Sequence, residues 1–257
     1  MKREIETRSG LRRTAGEIRS YRRIMRVAPI ALACISLGLI LTFIISVLYS
    51  RYGSFTVSVR KFQNQEWALS LSQTPDFKDP ISRLNCNASK DITNISAADL
   101  PDNLNSLYGE HSGRNYLAYT FFCKNTGTKV LDYEYEVQIK NASQGVEQAI
   151  RVRVYENLMQ TEERSGNGKT ETVDVSENAY TDYAWPSKSG SPEPGTVPFL
   201  SSVIVCRNNV LQLEPGGMTK FTVVIWLEGD DPECLDDILG GEFKIDMYLS
   251  VLTGEEP

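Results

Sequence analysis

Hydrophobic positions follow two different rhythms along the chain. Val27 to Tyr49 is an unbroken apolar run, VAPIALACISLGLILTFIISVLY. From Ser54 the rhythm changes to alternation, with Phe55, Val57 and Val59 on one side and Thr56, Ser58 and Arg60 on the other. Period two is the mark of a half-buried strand. Similar runs follow at Trp67–Leu71, Tyr116–Cys123, Asp132–Ile139, Ala149–Tyr155, Thr172–Val175, Ser202–Val205, Phe221–Leu227 and Phe243–Val251. Short strands separated by turn signals predict an all-β domain over residues 51–257, an antiparallel jelly-roll-like β-sandwich. Two stretches break the rhythm. Residues 74–112 are polar, with a short helix expected near Ala97–Leu107. Residues 160–198 are rich in Gly, Ser, Glu and Pro and read as a long excursion from the strands.

The apolar run predicts one transmembrane helix over residues 27–50. At about 1.5 Å per residue it can cross a hydrocarbon core of about 30 Å. Pro29 falls in the first turn, where a missing N–H does no harm, and Tyr49 and Tyr52 stand where an aromatic belt would form. Residues 1–26 carry nine Lys or Arg against three Glu, a charge of +6. This asymmetry predicts a basic cytoplasmic tail and a C-terminal domain outside the cell membrane. The exit Val47-Leu-Tyr-Ser-Arg51 has no A-x-A-like site, so an uncleaved signal anchor is expected, with the lipid bilayer as partner of residues 27–50. Because the whole chain carries −6 and residues 27–50 are uncharged, residues 51–257 carry −12. So acidic a domain argues against nucleic acid as a partner.

Cys34 lies in the apolar run and reads as a packing residue. Cys86, Cys123, Cys206 and Cys234 remain. An even number in an exported domain predicts two disulfides, with three pairings open. No C-x-x-C or His-spaced ligand set accompanies them, which argues against structural zinc. Asn87, Asn94 and Asn141 each begin an Asn-x-Ser glycosylation pattern.

The richest segment is Trp226-Leu-Glu-Gly-Asp-Asp-Pro-Glu-Cys-Leu-Asp-Asp-Ile-Leu-Gly-Gly241. Glu228, Asp230, Asp231, Asp236 and Asp237 are candidate calcium ligands, since hard cations take several carboxylate oxygens, although the spacing is not that of an EF-hand. A structural reading is more economical: Asp231 as N-cap, Pro232 as first helical residue, Glu233 in the positive first turn and Gly240 or Gly241 ending a short helix. His111, the single histidine, lies in Gly-Glu-His-Ser-Gly-Arg with no nucleophile elbow and reads as a surface residue. Tyr116, Tyr119, Phe121, Tyr133 and Tyr135 either line a carbohydrate-binding face or pack in the sandwich. No catalytic constellation stands out.

Three segments carry a resemblance. Tyr119-Thr-Phe-Phe-Cys-Lys-Asn-Thr-Gly127 leads to Leu131-Asp-Tyr-Glu-Tyr; Leu213-Glu-Pro-Gly-Gly-Met-Thr-Lys-Phe-Thr-Val-Val-Ile225 feeds a strand; Gly241-Glu-Phe-Lys-Ile-Asp-Met closes the domain. This order resembles the TasA/camelysin-like exported proteins of Gram-positive bacteria, and more closely their membrane-anchored Firmicutes relatives. The resemblance implies a jelly roll at the cell surface, in some members a biofilm-matrix protein that self-associates. The anchor, the strand pattern, the expected disulfides and the lack of a catalytic set predict a non-enzymatic structural or adhesive role through protein–protein contacts. The rival reading is an enzyme, a metalloprotease as the camelysin name implies or another surface hydrolase using acidic residues. A ligand-binding accessory or sensor subunit is a third reading, with the basic tail contacting a cytoplasmic partner.

Overall fold

The computed structural model describes residues 28–44, 55–60, 65–86, 92–163, 170–174 and 178–252, with the backbone alone for 160–163 and 170–174. The basic tail 1–26, Val27, residues 45–50, Tyr52 and the pattern at Asn87 lie outside the described residues. The chain divides into two units, Met1–Ser50 and Arg51–Pro257. In the first, residues 28–44 form one continuous, exposed helix. Among the described residues no helix is long and apolar enough to cross a membrane.

The second unit is mostly β. Its strands are β1 (Phe55–Val59), β2 (Leu69–Ser72), β3 (Arg83–Cys86), β4 (Gly109–Glu110), β5 (Tyr116–Asn125), β6 (Leu131–Ala142), β7 (Ile150–Glu163), β8 (Thr170–Asp174), β9 (Tyr180–Ala184), β10 (Val197–Pro198), β11 (Ile204–Leu213), β12 (Met218–Leu227) and β13 (Phe243–Leu252). Five form one sheet in the order β11-β6-β13-β1-β3. The other sheet runs β10-β9-β7-β12-β5-β2, with β4 beside β5 and β8 beside β7. Alternation places Phe121, Phe221, Val223 and Val152 of the larger sheet against Tyr135, Val137, Met247 and Val57 of the smaller one, in a single core. Phe221 stacks on Phe121 at 5.3 Å and meets Tyr135 edge-on at 5.1 Å.

Two pairings depart from the antiparallel expectation. β1 runs parallel to β13, Val57 opposite Met247, and β10 runs parallel to β9. Local patterning carries no signal for strand direction, so only the long-range pairing reveals it.

Strand β12 is buried on both faces almost throughout. Its outer face is covered by the polar stretch that reads as loop. Leu100 and Leu104 pack there against Ala118, Tyr155, Val224 and Trp226. The expected helix at Ala97–Leu107 is instead two single 3-10 turns, Ala97–Asp99 and Leu104–Ser106. Pro101 between them interrupts any continuous helix. A buried polar network fixes the second turn: Lys220 Nζ donates to the Asn105 carbonyl at 3.1 Å, and Thr222 Oγ1 to Asn105 Oδ1 at 2.9 Å. Each of these groups would be costly to bury without its partner.

The two turn motifs quoted above meet in space. Asn125 is fully buried, and its amide donates to the Lys129 carbonyl at 2.9 Å and the Leu213 carbonyl at 2.8 Å. Its Oδ1 accepts from Gly127 N–H at 2.9 Å. Its backbone bonds Gly216 and Gly217. The chain at Glu66–Ala68 passes so close to Gly127 that a Cβ there would lie 2.3 Å from the Glu66 carbonyl.

The disulfide expectation is corrected: no disulfide joins Cys86, Cys123, Cys206 or Cys234. They stand on β3, on β5, on β11 and in the loop after β12. Their sulfurs have separate neighbours. Cys86 lies 3.9 Å from Ser112 Oγ, and Cys234 accepts from Asn94 Nδ2 at 3.6 Å. Cys86, Cys123 and Cys206 belong to the core and behave as small apolar residues there. Burial raises all three thiols, Cys86 and Cys206 to about 12.

The lock at Asn125 is testable by denaturant unfolding of residues 51–257. Asn125→Ala should cost about 2–4 kcal/mol, because one buried and two part-buried hydrogen-bonding groups lose their partner. Gly127→Ala should be at least as damaging, because backbone rather than a flexible side chain occupies the space its Cβ needs.

Candidate functional site

The sequence Ile150-Arg-Val-Arg-Val154 alternates so that its apolar residues enter the core and both arginines face outward from the larger sheet. The outer face is itself covered here, so both guanidinium groups are buried and each holds a carboxylate. Arg153 forms a bidentate pair with Asp182, directly across on β9, at 2.7 and 2.9 Å. Its guanidinium lies 3.8 Å from the centre of the Tyr180 ring and 5.5 Å from that of Trp226.

Arg151 reaches out of the sheet instead. Its Nη2 donates to Asp231 Oδ2 and lies 3.7 Å from Glu193 Oε2. The Asp231 side chain is 0% exposed and that of Arg151 4%, so this is a desolvated ion pair. Asp231 Oδ1 accepts from Glu233 N–H at 2.8 Å, which brings Glu233 beside it. Carboxylate oxygens of Glu193, Asp231 and Glu233 lie within 4.8 Å of one another. Burial pushes Glu193 above the ordinary glutamate range, and the neighbouring Asp231 adds to the rise. Arg151 opposes it, and Glu233 adds a smaller push upward. Within this cluster one guanidinium faces three carboxylates and offsets their charge only in part.

The five candidate calcium ligands are not brought together. Glu228 accepts from the Trp226 indole at 3.0 Å and from Ala97 N–H at 3.1 Å, so it fastens the covering segment to the sheet. Asp230 accepts from Ser96 Oγ at 2.6 Å. Asp236 and Asp237 are exposed in a 3-10 turn, Asp236–Ile238. That turn begins at Leu235 without a side-chain cap, so the helix expected from Asp231 and Pro232 does not form. Asp231 ties a turn to Glu233 and Cys234 while its second oxygen serves Arg151. Gly240 ends the segment at φ +76°, the left-handed conformation that glycine favours.

His111 is half-buried, and its Nδ1 lies 2.9 Å from the Gly109 carbonyl. Burial lowers its pKa. Tyr119, Phe121, Tyr133 and Tyr135 lie in the core rather than on a binding face. Tyr116 packs half-buried on the outer side of the sheet.

Two clefts open here, one beside Arg153 and one beside Glu233. One, of about 240 Å³, lies between the Ala97–Asp102 turn and the Arg153, Tyr155 and Tyr180 side chains. The other, of about 400 Å³, is lined by Gln148, Trp185, Ser187, Lys188 and Glu233. Arg151, Glu193 and Trp185 are the residues sequence reading missed. Glu193 and Trp185 sit in the stretch read as an excursion. The available signal was the Ile-Arg-Val-Arg-Val alternation, because two arginines on one face of a strand demand carboxylate partners if that face is covered.

Removing one member of the buried pair leaves the other charge uncompensated. Arg151→Met should cost about 3–5 kcal/mol in denaturant unfolding, and adding Asp231→Asn should recover a large part of that loss. Glu193 has the opposite sign. Its folded pKa is raised, so its contribution favours the fold in acid and is lost as pH rises through the folded value. Glu193→Gln should therefore be most stabilising relative to the parent near neutral pH. The difference should shrink as pH falls towards 4.5, the ordinary glutamate value.

No protein family and no curated protein matches this chain. Among solved structures, a β-glucosidase from Kluyveromyces marxianus in complex with glucose aligns at 14% identity with a TM-score of 0.20. The alignment covers 73% of this chain and 15% of that one. So low a score carries no argument about fold or function.

Proposed function

We propose that the chain is a single-pass, membrane-anchored cell-surface protein whose jelly-roll-like domain acts through protein–protein contacts. The basic tail and the uncharged run 27–50 support the anchor. One structural observation carries the contact role. Val197, Leu200 and Val203 are 46%, 61% and 53% exposed on one short stretch of chain. This stretch links β10, the last strand of one sheet, to β11, the last strand of the other. Exposed aliphatic side chains grouped in this way mark an interaction surface. The link is held in shape from behind: Phe199 is buried, and Ser201 Oγ accepts from Val203 and Ile204 N–H.

Contact through side chains fits better than addition of a strand. β11 is long enough to template another strand, but its register shifts between Ile204 and Cys206 and again between Val210 and Leu213. Gln212 adopts φ +57° at the second shift. Irregularities at both ends of an edge strand are a common defence against edge-to-edge pairing.

Two measurements test the proposal. Alkaline washing of membranes should leave the full chain in the pellet and release a chain lacking residues 27–50; equal release of both removes the anchor. Sedimentation velocity and surface-capture assays on residues 51–257 should show association with itself or with a cell-surface component. Leu200→Ser with Val203→Ser should weaken that association about tenfold or more. A domain that binds neither, or binds unchanged without these side chains, overturns the contact role.

A further inference from the structure

The cleft of about 400 Å³ beside Trp185 has the size of a small-molecule site, for which about 300–1,000 Å³ is usual. We propose that it is a carbohydrate subsite, taking one neutral sugar ring against the Trp185 indole. The site uses none of the side chains assigned above to protein contact.

The lining defines the ligand. Trp185 supplies an aromatic wall, matched to the C–H groups of a sugar ring. Around it stand a lysine ammonium at Lys188, an amide at Gln148 and a carboxylate at Glu233, while the Ser187 hydroxyl is engaged within its loop by Ser189 Oγ and the Ser191 carbonyl. Lys188 and Gln148 offer donors, and Gln148 and Glu233 offer acceptors, both of which a ring of hydroxyl groups requires. An apolar ligand would strip water from Lys188 and Glu233 without replacing its hydrogen bonds. An anion would approach Glu233 with Glu193 and Asp231 close behind it. A neutral polyhydroxylated ring satisfies both constraints.

The cleft is also organised before any ligand arrives. Trp185 is held edge-to-face with Phe199, ring centres 6.0 Å apart and planes at 89°. The loop that follows is closed on itself: Gly190 N–H donates to the Ser187 carbonyl at 2.7 Å, and Ser187 N–H to the Ser191 carbonyl at 3.0 Å. The opposite rim is fixed by Glu233 N–H on Asp231, which is anchored in turn by Arg151. Glu193, later in the first loop, lies 3.7 Å from the same guanidinium. One buried arginine thus contacts the two loops that carry Trp185 and Glu233, and a rigid site loses less entropy on binding.

The experiment is a titration of the full chain in a non-glycosidic detergent. The probes are glucose, galactose, N-acetylglucosamine and their soluble β-linked tetramers, read by intrinsic tryptophan fluorescence and saturation-transfer NMR. At least one probe should bind saturably, with a Kd from about 10 µM to 10 mM. Trp185→Ala should weaken it about tenfold or more, while Trp67→Phe leaves it unchanged. Lys188→Ala with Gln148→Ala, made on the rim, should weaken it severalfold with the fold intact by circular dichroism. Absence of saturable binding across the panel overturns the proposal. So does binding that survives unchanged in the folded rim variant or in Trp185→Ala.

Discussion

Strand β12 is buried on both faces, although its outer one carries Lys220 and Thr222 among apolar residues, and that double burial constrains its surroundings. One face meets the five-stranded sheet, and the other meets a segment that the chain lays across it. The second contact dictates much of what surrounds it. Leu100 and Leu104 are held over Val224 and Trp226, and polar groups trapped beneath the cover must find partners there. Asn105, Thr222, Lys220 and Thr120 answer that demand for one another, and Glu228 answers it for the Trp226 indole. The covering segment is polar in composition because its task is to satisfy a sheet as much as to shield it.

The same constraint explains what was legible in the sequence. β1, β5, β6, β12 and β13 announce themselves because their apolar residues either alternate or run on without break. The second half of β11 does not, because Arg207-Asn-Asn reads as a turn. It is in fact an exposed edge, where polar side chains cost little. β9 is hidden for a similar reason. Its Asp182 looks like loop chemistry until Arg153 is found opposite it. The parallel pairing of β1 with β13 joins the two ends of the domain, and no local pattern encodes it.

The acidic run from Glu228 to Asp237 was legible as a cluster but not as a set of separate tasks. Carboxylates close in sequence need not converge, and these diverge toward Trp226, Ser96, Arg151 and solvent. The acids that do converge include Glu193, from a distant stretch, because a buried cation gathers them. The cysteines mislead for a related reason. An even number of cysteines bears on compartment and says nothing of geometry. Three of these four are spent as small hydrophobic groups in the core.

The two outward arginines of β7 divide the work between sheet and loops. Arg153 pairs within the sheet and lies near the Tyr180 and Trp226 rings, so it reinforces strand order. Arg151 pairs beyond the sheet, and that difference gives it a structural reach its neighbour lacks. A buried ion pair adds little net stability compared with an apolar substitute, because both ions must be desolvated. What it does supply is intolerance of alternatives. With the Arg151 side chain 4% exposed, any conformation that moved Asp231 away would leave the guanidinium with only the more distant Glu193 carboxylate in a dry site. The loop after β12 is therefore confined to one position, and Glu193 draws the 185–196 loop toward the same point. The shape of the cleft between those loops follows from the placement of a single charge on a strand, two residues from another that has no part in it.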